Sequence, residues 1–310
     1  MTAVKIALCI ATFRRCESLE RLLKSVKMLQ FPESKPDLRI VVVDNDSEGS
    51  AKDICDSARK ELRWPIIYCI EPKRGIPFAR NRSIECAGND TDWIAFLDDD
   101  EAPEPQWLME LIRVAQEHNA DVVAGPVVPR FEKPIPEWKK KGHFFDRKRY
   151  QTGQSLPFAY TNNVLFKVSI LGQEKYPFDI RFARTGGSDR HFFQRVRMAG
   201  YKIVWADEAI VYEWIPPSRT KSWYLIRRQF STGNGASFIE LDLRPSPKTV
   251  LFLICKSLKW FLIGLILIPP GLILGRHVLV RGIQLFAYGL GVFTGLFGLH
   301  HKRYGKPESS

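Results

Sequence analysis

The sequence is poor in the residues that build metal or disulfide frameworks, with six cysteines and six histidines among 310 residues. The cysteines, at positions 9, 16, 55, 69, 86 and 255, form no CxxC pair, and no histidine lies at metal-ligand spacing from them. This pattern excludes a zinc-ribbon type of site and predicts buried thiols in a reducing compartment. The first 15 residues have a short apolar run and no small-residue cleavage site, so they predict a strand instead of a signal peptide.

Acidic residues are nearly absent from the C-terminal part of the chain. From Lys248 onward, eight Lys or Arg accompany one acid, Glu308, which gives +7 of the formal net charge of +12. The preceding 247 residues mix both signs as a soluble surface does. Because the basic excess borders apolar runs and no base-stacking motif accompanies it, we expect no nucleic acid among the partners.

Charge is also absent from two apolar runs near the C-terminus, 260–275 (WFLIGLILIPPGLILG) and 282–299 (GIQLFAYGLGVFTGLFGL). The second has the length of a membrane span, and the first extends back to Thr249 if two lysines snorkel. The flanking charges are all basic, as expected beside anionic cytoplasmic lipid: Lys256, Lys259, Arg276, Arg281, Lys302, Arg303 and Lys306. We therefore predict a membrane-associated helical hairpin over 246–310, at the cytoplasmic face of the inner membrane.

The connection between the two apolar runs is itself basic, which disfavours a hairpin whose loop is translocated. A re-entrant or interfacial helix pair, bent at Pro269 and Pro270, fits better. The alternative is a buried helical hairpin of a soluble protein.

Apolar strand patterns alternate with helical patterns over the first half of the chain. The predicted strands are 4–11, 38–43, 66–70 and 93–97, and the predicted helices are 17–29, 50–63 and 77–86. A further strand is predicted over 121–128. This alternation indicates an α/β fold with a mostly parallel sheet and helices on both faces, within a domain of residues 1–245.

Polar residues follow each of the first four strands. They are Thr12, Asp44 to Asp46, Glu71 to Gly75, and Asp98 to Glu101. The carboxyl ends of parallel strands share one rim, where ligands bind, so we expect these groups to converge. Turn formation and helix capping explain such residues equally well, and we assign that role to Asn45 and Ser47. The acidic run in WIAFLDDDEAP needs more than a turn, because adjacent carboxylates repel one another.

A later motif, TGGSDRHFFQRVRM, predicts a helix start. Ser188 is placed to cap this helix and Asp189 lies in its first turn. Its packed side is predicted to hold Phe192, Phe193, Val196 and Met198.

Six segments in order, ATFRR, VVVDNDS, KRGIPFARN, FLDDDE, TNN and GGSDRHFFQR, together resemble family 2 glycosyltransferases of the GT-A fold over residues 4–235. The resemblance is greatest to bacterial enzymes that add β-linked sugars to lipid-linked exopolysaccharide or lipopolysaccharide intermediates. It implies a nucleotide-diphosphate sugar donor, such as a UDP-sugar, and a polyprenyl-diphosphate-linked saccharide as acceptor.

The resemblance assigns the acidic run to the donor. Asp98 then faces the ribose or the sugar, and Asp100 binds Mg²⁺ or Mn²⁺ at the diphosphate. Two carboxylates with phosphate oxygens are a ligand set that these ions prefer. Strand alternation places Asp99 on the opposite side, and a shift of frame to Asp99 and Glu101 is the alternative.

The resemblance also assigns nucleotide contacts. Asp44 matches the acid that accepts a hydrogen bond from a uracil-like base, with Thr12 nearby. The alternatives are that Asp44 only forms a turn, or that Asp46 contacts the base in its place. Arg80 matches a residue lining the nucleotide-diphosphate pocket, and its alternative is a surface arginine paired with Glu85.

For catalysis, Asp189 matches the base that deprotonates the acceptor hydroxyl in an inverting transfer. The alternative is that Asp189 only serves as a second cap at the N-terminus of the helix. Arg227 and Arg228 match a segment that closes over the donor diphosphate. The chain lacks the Q-x-x-R-W motif of processive members, which favours transfer of one sugar per encounter. The remaining alternatives are direct transfer to polyprenyl phosphate and a non-catalytic, membrane-anchored scaffold.

Overall fold

A computed structural model describes residues 4–31 and 35–299. The chain divides into two compact units. The first unit comprises residues 1–130, 147–183 and 188–214, and the second comprises 131–146, 184–187 and 215–310. The expected basic flank at Lys302, Arg303 and Lys306 lies outside the described residues.

The strands, in chain order, are β1 Lys5–Thr12, β2 Asp37–Asp44, β3 Ile66–Ile70, β4 Trp93–Asp98, β5 Glu101–Pro103, β6 Val122–Ala124, β7 Val127–Phe131, β8 Val164–Lys167, β9 Ile203–Trp205 and β10 Val211–Ile215. Seven of them form one sheet in the order β3-β2-β1-β4-β8-β6-β9. Only β8 runs antiparallel to its neighbours in this sheet. The predicted mixed, mostly parallel sheet is confirmed.

The helices are α1 Cys16–Lys27, α2 Lys52–Glu61, α3 Ile76–Ala87, α4 Trp107–Glu117, α5 Glu137–Lys141, α6 Ser188–Met198, α7 Ser222–Leu243, α8 Pro247–Leu274 and α9 Arg276–Leu296. Helices of the first unit cover both faces of the sheet. Alternation along β1 sends Ile6, Leu8 and Ile10 into one apolar cluster with α1 and α4, and Ala7 and Cys9 into another with α6.

The strand predicted over 121–128 is wrong as a single element, because β6 ends at Ala124 and β7 begins at Val127. A Cβ added at Gly125 would lie 2.6 Å from Asn163 Nδ2, so the close approach at this position requires glycine. Pro126 cannot donate to a strand ladder. The strand β7 instead joins β10 and β5 in a three-stranded sheet of order β5-β10-β7.

The expectation that the six cysteines are buried thiols is wrong for some of them. Cys69 on β3 and Cys86 on α3 form a disulfide, because the fold brings these two neighbouring elements together. Cys255 on α8 is exposed and Cys16 is half-buried, whereas Cys9 and Cys55 are buried thiols.

In the second unit, α9 packs against both α7 and α8. Glycines permit this close approach: a Cβ on Gly289 would lie 2.6 Å from the Phe261 nitrogen. Helix α8 continues through Pro269 and Pro270, where a bend was expected, and is followed by Gly275 (φ 110°), a conformation suited to glycine. The unit that holds the hairpin begins before the expected boundary at residue 245, because α7 packs on α9.

Helices α8 and α9 are apolar and long enough to cross a membrane. Large apolar side chains on α8 are exposed, including Leu258 (55%), Ile266 (69%) and Ile273 (89%). Burial of this helix in a soluble core does not account for such exposure.

Candidate active site at the carboxyl ends of the strands

The acidic run forms a tight turn between two sheets. Strand β4 ends at Asp98, Asp99 and Asp100 form the turn, and β5 begins at Glu101. Because strand alternation stops at Asp98, the prediction that Asp99 points away from Asp100 is wrong. Nη1 of Arg15 lies 2.9 Å from Asp99 Oδ1 and 3.2 Å from Asp100 Oδ2, so both carboxylates meet the same guanidinium.

The neighbouring strand β1 fixes one of these acids. Thr12 ends β1 and donates from Oγ1 to Asp99 Oδ2 at 2.9 Å. The register that pairs Ala11 with Asp98 brings the ends of β1 and β4 side by side. Thr12 is also the register partner of Asp44 on β2, so the expected proximity of these two residues is confirmed.

Asp98 lies next to α3. Its carboxylate lies 3.6 Å from Arg80 Nη2, and its side chain is 46% exposed. Burial of its surroundings raises the pKa of Asp98, the charges of Asp100 and Asp99 add to the rise, and Arg80 opposes it. Asp98 is therefore a half-exposed carboxylate that pairs with Arg80 and is open to a ligand.

Glu101 lies inside the turn and not on its open side. Glu101 is 1% exposed, and its Oε2 accepts a hydrogen bond from the Asp98 amide at 2.7 Å. Across the β5–β10 pairing it faces Glu213, which forms an ion pair with Arg147. The alternative frame, with Asp99 and Glu101 as ligands, does not fit this geometry, because Glu101 is enclosed and Asp99 is held by Thr12 and Arg15.

The acid turn suits a hard cation. The pKa values of Asp98, Asp99 and Glu101 are all raised, through burial and through the neighbouring carboxylates, although Arg15 and Arg80 lie close by. The oxygen-only donors of the turn are those that Mg²⁺ and Mn²⁺ accept. The assignment of such an ion to Asp98 and Asp100 stays a prediction.

Asp44 has a structural role in the turn after β2. It is fully buried, and its carboxylate accepts hydrogen bonds from the Ala51 amide (2.7 Å), the Tyr68 hydroxyl (3.0 Å) and the Asp46 amide (3.1 Å). The turn role weighed for Asp44 is therefore present, and its contact with a base stays a prediction. Asp46 is bound to Arg14 at 2.8 Å, and this hydrogen bond holds the pKa of Asp46 below its ordinary value.

Asn45 positions the helix that carries Arg80. Its amide donates to the carbonyls of Glu71 (2.8 Å) and Lys73 (2.7 Å), and its carbonyl accepts from the Gly75 amide (2.9 Å). Gly75 immediately precedes α3, so Asn45 ties the end of β2 to the start of this helix. The turn role expected of Asn45 is confirmed.

Arg80 is buried, with 7% exposure, and reaches two elements. Nη2 forms the ion pair with Asp98, and Nη1 lies 3.4 Å from Ser188 Oγ at the start of α6. The alternative of a surface pair with Glu85 is wrong, because Arg82 makes that contact at 3.0 Å. Arg80 therefore links the acid turn to the residue that precedes Asp189.

Ser188 was expected to cap helix α6. The helix instead begins at Ser188, which is its first residue. Asp189 lies in the first turn, where Oδ1 accepts from the Arg190 amide at 2.7 Å. Phe192, Phe193 and Val196 are buried as predicted. Met198 is 53% exposed, contrary to expectation, because it is the last residue of the helix.

An aromatic pair that the sequence interpretation missed lies near Asp189. Tyr160 is 48% exposed and its ring packs edge-on against Phe158, with centroids 5.3 Å apart. Arg190 lies 5.0 Å from the centroid of Phe158. Burial and the charge of Asp189 raise the pKa of Tyr160. The only sequence signal was an FAY triplet just before the TNN segment.

Arg227 and Arg228 lie in the second unit, on the regular helix α7. Both are exposed, and the Arg227 guanidinium lies 5.1 Å from the ring centroid of Trp223. Trp223 and Tyr224 pack edge-on with centroids 6.1 Å apart. Their predicted closure over a diphosphate stays a prediction.

Two family models match the sequence of this chain. The model of "Glycosyl transferase family 2" matches residues 7–173, and that of "Glycosyl transferase family group 2" matches 93–300. The succinoglycan biosynthesis protein ExoM of Rhizobium meliloti is 34% identical over 228 residues, covering 72% of this chain and 71% of that protein. The glucosyl-dolichyl phosphate glucuronosyltransferase of Haloferax volcanii is 23% identical over 253 residues, covering 77% of each.

The fold is similar to that of a solved structure, S. aureus TarS 1–349 in complex with UDP. The TM-score is 0.52 at 13% identity, with 94% of this chain and 91% of that chain covered. At this identity the likeness concerns the fold, and it agrees with the mixed sheet and flanking helices described above.

Proposed function

The chain belongs to glycosyl transferase family 2, and we propose that it moves one sugar from a UDP-sugar to a lipid-linked saccharide during exopolysaccharide assembly, with inversion at the anomeric carbon. The single observation that carries this proposal is the link formed by Arg80 between Asp98 and the start of α6, because it joins an acidic turn suited to a donor diphosphate to an acid suited to proton removal. The similarity to ExoM supports the exopolysaccharide assignment.

The donor end of the reaction is assigned to the acid turn. Asp98 and Asp100 would hold Mg²⁺ or Mn²⁺, which when bound offsets the charge that collects on the departing diphosphate. Arg80 orients Asp98 through the ion pair and fixes its distance from α6. The UDP complex of the TarS structure supports a uridine donor. Asp44 and Thr12 lie side by side at the expected base-binding edge.

The acceptor end is assigned to Asp189. In the transfer, the acceptor hydroxyl oxygen forms a bond to the anomeric carbon, the bond from that carbon to the diphosphate oxygen breaks, and the hydroxyl proton passes to the Asp189 carboxylate. Oδ1 already accepts from the Arg190 amide, which leaves Oδ2 as the oxygen for the proton.

Membrane association would bring the chain to a lipid-linked acceptor. The exposed apolar side chains of α8 fit an acyl environment, and Arg276 at the start of α9 fits an anionic headgroup layer. Such a location corresponds to the cytoplasmic face of the inner membrane. Arg227 and Arg228 on α7 would then close over the donor diphosphate.

A second candidate is transfer of the sugar directly to polyprenyl phosphate. The similarity to a glucosyl-dolichyl phosphate glucuronosyltransferase instead favours an acceptor that already carries a sugar. A non-catalytic scaffold is disfavoured, because Asp98, Asp100 and Asp189 are all present in geometries suited to chemistry.

The test is a donor panel. Full-length protein in lipid nanodiscs is incubated with individual UDP-sugars and Mn²⁺, with and without a lipid extract of exopolysaccharide-producing cells, and released UDP is measured. We expect slow, metal-dependent release from one donor and faster release when lipid-linked saccharide is added. Stimulation by polyprenyl phosphate alone would support the second candidate, and no release from any donor would support the scaffold.

A further inference from the structure

Helix α9 is covered by protein on two opposite faces. One face meets α8, where a Cβ on Gly282 would lie 3.1 Å from the Gly264 carbonyl oxygen. The second face is formed by residues that recur at intervals of three and four and therefore lie on one side of a helix: Arg281, Gln284, Tyr288, Gly291 and Gly295. Gln284, in the middle of this second face, is 2% exposed. The second face of α9 is thus closed to lipid.

Charged elements of the second unit cover this face at both ends of α9. Near the start of the helix, Arg281 Nη2 donates to the Gly142 carbonyl at 2.7 Å, directly after the lysine-rich helix α5. Near its end, a Cβ on Gly295 would lie 2.7 Å from the Asn234 carbonyl oxygen of α7. Both covering helices carry exposed basic side chains, which are Lys140 and Lys141 on α5 and Arg227 and Arg228 on α7.

The covered stretch of α9 is too long for this helix to cross a bilayer. From Arg281 to Gly295 the helix rises about 21 Å, whereas the hydrocarbon core of a bilayer is about 30 Å thick. If α9 spanned this core, the charged side chains of α5 or α7 would enter hydrocarbon. Hydrocarbon offers no partner to a charge, so this arrangement is unfavourable.

Helix α8 separates an apolar side from a basic side along its length. The side turned away from α9, which we call the outer face, carries exposed apolar residues from one end to the other: Leu251, Leu258, Leu262, Ile266 and Ile273. The two lysines of the helix lie near aromatic rings instead. Lys256 Nζ is 5.7 Å from the ring centroid of Tyr288 on α9, and Lys259 Nζ is 5.4 Å from that of Trp260, which packs on Tyr288.

We propose that the α8–α9 hairpin lies parallel to the membrane surface within one leaflet, where the outer face contacts acyl chains and Lys256 and Lys259 contact anionic phospholipid headgroups. This inference rests on the membrane association in the proposed function. A lysine at headgroup level keeps its charge hydrated while its stem covers apolar surface. Arg276 at the start of α9 adds to the same basic charge, which strengthens binding to an anionic surface.

The first experiment measures depth along the outer face. Full-length protein with Cys16→Ser and Cys255→Ser, which removes the accessible thiols, receives one nitroxide label at Leu251→Cys, Leu262→Cys or Ile273→Cys. Depth in vesicles of phosphatidylcholine and phosphatidylglycerol is read from collisions with oxygen and with a nickel complex. We expect all three labels in the acyl region, at the same depth to within about 5 Å, one helical turn.

The alternatives give different depth profiles. A label at Leu262 deeper than both others would show that α8 crosses the bilayer, and depth that increases toward Ile273 would show a re-entrant tip. Either result would overturn the inference, as would labels outside lipid on a protein that floats with vesicles, since a second copy would then cover the outer face. If wild type itself does not float, the membrane part of the proposed function fails, and the inference with it.

The second experiment tests the headgroup contact. Lys256→Gln with Lys259→Gln should lower affinity for vesicles that contain phosphatidylglycerol by about tenfold or more, because each lysine near an anionic surface adds to binding. Affinity for vesicles of phosphatidylcholine alone should not change. Lys256→Arg with Lys259→Arg is the matched control, which keeps the charge and should bind as wild type does. Wild-type affinity of the glutamine variant for the anionic vesicles would show that these lysines do not meet headgroups.

Discussion

Arg80 on α3 places Nη2 3.6 Å from the carboxylate of Asp98 at the end of β4, and its Nη1 lies 3.4 Å from the hydroxyl of Ser188 at the start of α6. One buried guanidinium therefore determines the spacing between the acid turn and the helix that carries Asp189. The Cζ of Arg80 also lies 5.7 Å from the centroid of the Phe178 ring, a cation–π contact. Arg80 thus connects three elements of the site, β4, α3 and α6.

We predict that Arg80→Met lowers the rate of UDP release by tenfold or more. The substitution leaves Asp98 without its cation and frees α6 from the acid turn, and we expect a loss of about 1–3 kcal/mol in unfolding free energy. Steady-state kinetics and thermal melting are the measurements. Arg82→Met is the matched control, because Arg82 lies on the same helix and pairs with Glu85 at the surface. Equal effects of both substitutions would contradict the assigned role of Arg80.

For the proton transfer, we predict that Asp189→Asn lowers kcat by about 10²- to 10⁴-fold, since the amide cannot accept the acceptor proton. Affinity for UDP with Mn²⁺ should stay within about twofold of wild type, because Asp189 is assigned to the acceptor. The control is Asp53→Asn, which makes the same change in the first turn of α2. A variant that retains wild-type kcat would show that Asp189 only supports the helix start.

The Arg14–Asp46 pair predicts a dependence of stability on pH. The hydrogen bond from Arg14 lowers the pKa of Asp46 below its ordinary value of 3.8, so the folded state binds this proton less readily than the unfolded state. The contribution to stability is complete above that value and is lost as the pH falls through the lowered pKa. The contribution is small, because Arg14 is 55% exposed and solvent screens the pair.

The measurement is the thermal midpoint as a function of pH, from about pH 6 down to about pH 2, so that the range extends well below the ordinary pKa of Asp46. Asp46→Asn should flatten the acid limb of this profile. Glu48→Gln, in the same turn but exposed, should leave it unchanged. A wild-type profile in Asp46→Asn would indicate that other acids account for the acid limb.

The apolar face of α8 predicts membrane binding. The double substitution Leu262→Lys and Ile266→Lys places two charges on side chains that are 51% and 69% exposed, and each buried charge costs about 2–3 kcal/mol in a bilayer. We expect the protein to move from the membrane to the soluble fraction in flotation assays. Met28→Lys with Met198→Lys, on exposed methionines of the first unit, should float as wild type does. Retention of the α8 variant in the membrane fraction would contradict lipid contact by this face.

The elements with strong local patterns could be predicted from the sequence. Strands β1 to β4 are continuous apolar runs closed by polar residues, and their order along the chain determines which residues share a rim. The sequence-based bounds differ from the observed ones by one or two residues for most of these elements, and the strand over 66–70 is reproduced. Thr12 and Asp44 were expected to be neighbours for the same reason.

Features that depend on contacts distant in the sequence could not be predicted. Arg15 meets acids 84 and 85 residues away, so no local period indicated it. Side-chain alternation failed at Asp99 because the strand ends one residue earlier. The grouping of α7 with the hairpin depends on glycine contacts between helices, such as Gly233 with the backbone of Tyr288, which composition does not reveal.

The most direct measurement compares Asp100→Asn with Asp189→Asn on the donor that reacts in the panel, with Mn²⁺ or with chelator. We predict that Asp100→Asn loses both the metal-dependent affinity for UDP and the release of UDP. We predict that Asp189→Asn retains metal-dependent affinity and loses release stimulated by the lipid-linked acceptor. Metal-dependent binding and release that persist in Asp100→Asn would contradict the account, because the acid turn would then not be the donor site.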